Sequence, residues 1–240
     1  LLCYGQETLT VAKQVSEMVA GGIQERVRKV GQDREDVQAQ SRHLTEAICD
    51  ALEVHLQSQA FVLGDRPSLA DAALMNGFFG HLFMDPCDAS TYLRRRCPHS
   101  ALWMMKMHAA AGESDVGELY LSDSLQTLLA AMAAPFAEMA AATLSAVDEL
   151  VQGREHEALL PASLGGVNTR LGNTGISVSA SPYVAWKLQR LRDAYGRVPA
   201  EEKTDADRLL EATGFLTICQ KPLGWRLEKA GTGMRLLMVG

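Results

Sequence analysis

Five cysteines, six histidines and a Ser-x-x-Asp pair are the residues of this chain whose types and spacing could do chemistry. Ser68 and Asp71 bring a hydroxyl and a carboxylate within one helical turn. Such a pair can serve catalysis, or it can close the start of a helix. The preceding residues favour the second use. Gly64-Asp65-Arg66-Pro67 reads as a tight turn, and Pro67 fixes its own φ and keeps Arg66 out of the helical region. Ser68 then falls at the N-cap. Its hydroxyl can accept from the amide of Asp71, and the Asp71 carboxylate can reach back to the amide of Ser68. The carboxylate also meets the positive end of the helix dipole. A structural capping box is expected.

The cysteines, Cys3, Cys49, Cys87, Cys97 and Cys219, form no Cys-x-x-Cys pair, and their number is odd. Reduced thiols in a cytoplasmic, reducing compartment are expected, with neither a disulfide framework nor a zinc site. No histidine pair sits at metal-ligand spacing on a helix, so a metal centre is not expected. Gly-x-Ser-x-Gly and a glycine-rich phosphate loop are both lacking, which disfavours a self-contained hydrolase. His81 lies on an apolar stretch and is expected as a hydrogen-bonded core histidine, with an acid–base role as the rival. Tyr183, Trp186 and Arg190 make an aromatic and cationic stripe at i, i+3, i+7, expected to pack its helix on the first helical bundle.

Net charge is -6, from 23 basic and 29 acidic residues, so nucleic acid is a poor partner. Arg94-Arg95-Arg96 is the densest basic run and reads as a solvated helix end before Pro98. No run approaches the ~18 apolar residues that span a bilayer, because Leu128 to Met139 is interrupted by Pro135 and Glu138.

Helices must position these residues. Gln6 to Val30 has helical periodicity, with a possible kink at Gly21-Gly22, and Arg34 to Ser58 forms a second helix. Leu69 to Met84 is apolar on most sides and is expected to be a central, buried helix. A short helical turn at Ala89 to Arg96 precedes another helix from Pro98 to Gly112. Ser122 to Val151 is Ala-rich and helical, restarting at Pro135, and 153–160 reads as a polar helical stub. Residues 167–171 and 176–180 flank Gly172-Asn173-Thr174-Gly175 and predict a β-hairpin. Pro182 to Tyr195 and Pro199 to Thr213 are helical, and the tail from Lys221 has no clear period.

Gly64-x-x-Pro67-Ser68-x-x-Asp71, with the apolar lead-in Phe61-Val62-Leu63, resembles the C-terminal domain of the glutathione S-transferase superfamily, which carries a capping box at the start of its central helix. His81 to Pro86, Leu93 to Pro98 leading to Trp103, Leu160 to Gly165, and Pro182 to Arg190 are similar to later segments of a bacterial-type transferase-like group. The resemblance runs from about residue 35 to 215. It implies a mostly α-helical chain, with a transferase C-terminal-like bundle over 1–110 and a helical extension with a hairpin near 166–181 over 111–240.

The family also carries a thioredoxin-like βαβαββα domain that binds glutathione and the residue that handles its thiol. No strand pattern precedes residue 60 and the cis-Pro loop has no counterpart, so Cys3 and Tyr4 take no catalytic role and the chain is expected to be inactive alone. With glutathione as co-substrate, the resemblance implies that this part lines the pocket for a small apolar electrophile, to which Met18, His81, Tyr183 and Trp186 could contribute. Core packing is the default for each. The rival is a non-catalytic helical module that docks a protein partner or a second copy of itself. A catalytic relative would keep an apolar cleft along the first helix, Gln6 to Val30, whereas a contiguous apolar patch left exposed elsewhere would mark the docking module.

Overall fold

The computed structural model describes residues 6–29, 31–109 and 117–239. Cys3, Tyr4, Val30 and Gly112, named above, lie outside them. Most of the chain is helical, with small antiparallel sheets.

Helix α1 (Gln6–Lys29) runs through Gly21-Gly22 without a break. Helix α2 (Glu35–Ser58) supplies the spine of a first core through Cys49, Leu52 and Leu56. Helices α3 (Leu69–Gly77), α4 (Asp88–Arg96), α5 (Pro98–Ala109) and α6 (Asp123–Ala133) surround it. Phe78, Leu93, Trp103, Met104, Leu125 and Leu128 fill that core, each at most 5% exposed.

The stretch Leu69 to Met84 departs from expectation in two ways. The α-helix stops at Gly77 and continues as a π-helical segment, Phe78–Phe83. Nor is it central, since Asp71 and Phe78 alone are buried in it and Leu69 is 89% exposed. Its apolar residues point all round the axis, but α2, α5 and α6 already enclose the core. Only one side of α3 meets them.

A single-turn 3₁₀ segment, Ala134–Phe136, follows α6, and the chain resumes as α7 (Ala137–Val151). Pro135, lacking an N–H, begins this restart. The two cores meet here: α6 packs on α2, whereas α7 sends Ala140, Leu144, Val147 and Val151 into a second core. Length and composition alone would let 123–151 cross a membrane, at mean hydropathy 1.4 in its most apolar window, of which 22% is buried. The buried positions of α7 recur at three- and four-residue intervals and face the second core, as in an amphipathic core helix.

Residues 153–160 are not helical. Gly153 takes φ +74° just past α7, and the chain turns into a short strand, β1 (Leu159–Leu160). The predicted hairpin is β2 (Gly166–Leu171) and β3 (Thr174–Ser179), joined by Gly172-Asn173. Helices α8 (Pro182–Gly196), α9 (Lys203–Ala212) and α10 (Leu216–Gln220) follow.

The tail, without period in the sequence reading, is a second hairpin. It comprises β4 (Trp225–Ala230) and β5 (Gly233–Met238), with β1 on the other edge of β5. Trp225, Leu227, Met234 and Leu236 are its buried residues, alternating along each strand. Gly231 takes φ +60° in the two-residue turn.

Candidate functional site

Asp71 lies at the centre of a buried polar network. Its Oδ2 accepts from the amide of Ser68 at 2.9 Å and from the Ser68 hydroxyl at 2.6 Å. Its Oδ1 accepts from the amide of Val62 at 2.8 Å and from Trp103 Nε1 at 2.9 Å. Ser68 Oγ receives the amides of Ala70 and Asp71, completing the capping box. Asp71 is fully buried, and its oxygens are engaged by N–H and O–H donors of the fold. A carboxylate used up in this way ties the 60–64 loop, α3 and α5 together, and Ser68 and Asp71 are structural.

The other side of the Val62 peptide is held as well. Its carbonyl accepts from His55 Nε2 at 3.1 Å, and His55 Nδ1 lies 2.8 Å from Ser124 Oγ on α6. His55 is fully buried, and burial lowers its pKa below the ordinary histidine value. No sequence motif flags this pair, because 69 residues separate its members.

An open apolar cleft of about 400 Å³ lies between α2, α3, the π-helical segment and α6, with Ile48, Leu74, Phe78, Leu82, Met132 and Phe136 among its walls. That volume is within the range of small-molecule sites. Gly77 leaves one wall low: a Cβ there would meet nothing within 4 Å. The π-helical widening sets Phe78 into the core and leaves His81 on the rim. Far from being a core histidine, His81 has its side chain 78% exposed, with Nδ1 3.6 Å from an Asp85 oxygen. A surface helix position, one turn from Asp85, puts the ring in solvent.

The remaining candidates lie elsewhere. Met18 is 70% exposed on α1, in a row of exposed apolar residues that includes Val11, Val15, Val19 and Ile23. Tyr183 and Trp186 stack on α8 with ring centroids 5.7 Å apart, with Lys187 over the first ring and Arg190 over the second. Trp186 packs against the second core rather than the first bundle, because α8 lies on α7 and β4, while Tyr183 is 43% exposed. None of these three lines the cleft that His81 borders.

The three buried thiols, Cys49, Cys97 and Cys219, are poorly suited to nucleophilic work. Burial pushes Cys49 up to about 12 and Cys97 up to about 11, and raises Cys219 as well. Among the described residues no three His, Cys, Asp or Glu side chains gather as a metal site would require. By its shape and lining the cleft can hold an apolar molecule, and the polar side chains that line it are the His81 imidazole and the Thr45 hydroxyl, which donates to the Ser41 carbonyl. No family model matches this chain, and no curated protein or solved structure is significantly similar to it.

Proposed function

We propose that this chain is a glutathione S-transferase-like helical module that holds a small apolar electrophile, while glutathione and its activating residue come from a thioredoxin-like partner domain. The observation that carries the reading is the 400 Å³ apolar cleft built on α3, the helix begun by the Gly64 turn and the Ser68–Asp71 box. Burial of an apolar ligand against Leu74, Phe78 and Met132 would supply the affinity. His81 on the rim would meet any polar leaving group.

Titration with 1-chloro-2,4-dinitrobenzene, followed by quenching of tryptophan fluorescence, tests this reading. Gly77→Phe fills the cleft from a position with open space and is expected to weaken binding about tenfold, roughly the loss of one apolar contact surface. Equal binding by both proteins would sink the proposal.

A second reading, a docking or dimerisation module, is favoured by the exposed apolar row on α1. Light scattering separates the two: a monomer at micromolar concentration removes the self-association version.

A further inference from the structure

A second cleft, of about 520 Å³, is lined by Ser58, Gln59, Leu121, Ser122, Asp123 and Ser124. We infer that it is an acyl-transfer site, in which Ser124 is the nucleophile and His55 its general base, acting on a small neutral carboxylic ester. This site is distinct from the apolar cleft of the preceding section and does not depend on that reading.

The hydrogen-bond directions are fixed by one group that can only accept. The Val62 carbonyl takes the Nε2 hydrogen of His55, so a neutral ring must present its Nδ1 lone pair to Ser124. The Ser124 hydroxyl therefore donates to His55 at 2.8 Å. Ser122 Oγ, 3.2 Å away, is left to donate to Ser124 Oγ. Nucleophile, base and orienting group thus follow in a line, the arrangement that activates a serine. Burial keeps the base neutral, as a general base must be before it takes a proton, while lowering its affinity for that proton. When it does so, the buried Asp71 carboxylate, on the far side of the Val62 peptide, opposes the cost of the new positive charge.

Two further features belong to the same cleft. The amides of Asp123 and Ser124 open α6 and have no acceptor among the described residues, as the oxyanion of a tetrahedral intermediate would need. Gln59 lines the same cleft, and its side-chain oxygen is buried with no donor among the described residues. The exposed Asp123 carboxylate disfavours an anionic substrate.

In the first step Ser124 Oγ attacks the ester carbon, its proton passes to His55 Nδ1, and the alcohol leaves with that proton. In the second, water adds to the acyl-serine, gives its proton to His55, and the acid is released as Ser124 regains its hydrogen. No other reactant is needed.

The full chain is treated with a fluorophosphonate and digested, and the adduct is located by mass spectrometry. Stoichiometric labelling of Ser124 is expected. In parallel, p-nitrophenyl acetate should give a burst of one equivalent that Ser124→Ala abolishes, with turnover reduced by about 100-fold. Ser163→Ala, at an exposed serine outside the cleft, should keep both the burst and the label. Labelling of a different serine, or no label on protein whose circular dichroism is native, overturns the inference. So does a burst that survives in Ser124→Ala. Because the label is read on the unaltered chain, a poorly folded variant would not leave the question open.

Discussion

Each core of this protein contains a tryptophan that donates to an aspartate, and the two bonds have nearly the same length. Trp103 Nε1 lies 2.9 Å from Asp71 in the first core, and Trp225 Nε1 lies 2.8 Å from Asp148 in the second. Their surroundings differ. Asp71 is fully buried and holds three segments through two amides, a hydroxyl and the Trp103 indole N–H. Asp148 is 37% exposed in its side chain and shares itself with Lys221 at 3.3 Å. In the first case solvent cannot replace a lost partner; in the second it can. The value of a hydrogen bond here is set by what would stand in for it, not by its length.

That contrast predicts unequal losses. Asp71→Ala strands the amides of Val62 and Ser68 and the Trp103 indole in a dry interior, and is expected to cost about 4 kcal/mol in urea unfolding. Asp148→Ala lets water reach Trp225 and Lys221, and should cost about 1 kcal/mol. Equal losses would show that burial does not govern these pairs.

Two glycines sharpen the comparison at smaller magnitude. Gly64 takes φ +111° in the turn before α3, and a Cβ there would lie 2.6 Å from the Glu118 carbonyl. The segment 118–120 cannot back away freely, because the Asp65 amide bonds Glu118 and the Tyr120 amide bonds Leu63. Gly64→Ala should therefore cost about 3 kcal/mol. Gly231 takes φ +60° in the β4–β5 turn with nothing within 4 Å, so Gly231→Ala should cost only the left-handed penalty, about 1 kcal/mol. Thermal unfolding of the two variants measures both.

The pH dependence separates the cores more gently. His55, lowered by burial, is neutral in the fold while the unfolded chain takes up a proton near pH ~6.5. The unfolded state then binds more protons, so stability present above that pH is lost as pH falls through the lower folded value. Burial alone would raise Glu53, but the amides of Ser100 and His99 outweigh it and lower its pKa. Bonds from Trp225 and Arg226 lower those of Asp148 and Asp193. These carboxylates give a second loss below about pH 4, one in which the second core shares. Urea midpoints across this range should fall in two steps. A single acid step would remove His55 from the account.

Legibility followed sequence distance. The Ser68–Asp71 box could be read because its two members are three residues apart and Pro67 dictates the backbone before them. The β2–β3 hairpin was readable for the same reason, with Gly172-Asn173 supplying the turn. The β4–β5 hairpin was not, although Gly231 marks its turn, because glycines and charges obscure the alternation of Trp225 with Leu227 and Met234 with Leu236. His81 and Met18 were expected inside on the strength of apolar neighbours, yet a helix apolar on most sides is buried only where another element covers it.

The sequence by itself determined where α3 and α8 start, where Pro135 restarts a helix, and that Asp71 would serve a helix end, since each follows from sterics and hydrogen bonding within a few residues. Tertiary structure alone decided which faces were buried, and it brought His55 to Ser124 and Trp103 to Asp71. Those contacts join residues 69 and 32 positions apart, and burial is a property of what surrounds an element, which its own periodicity does not encode.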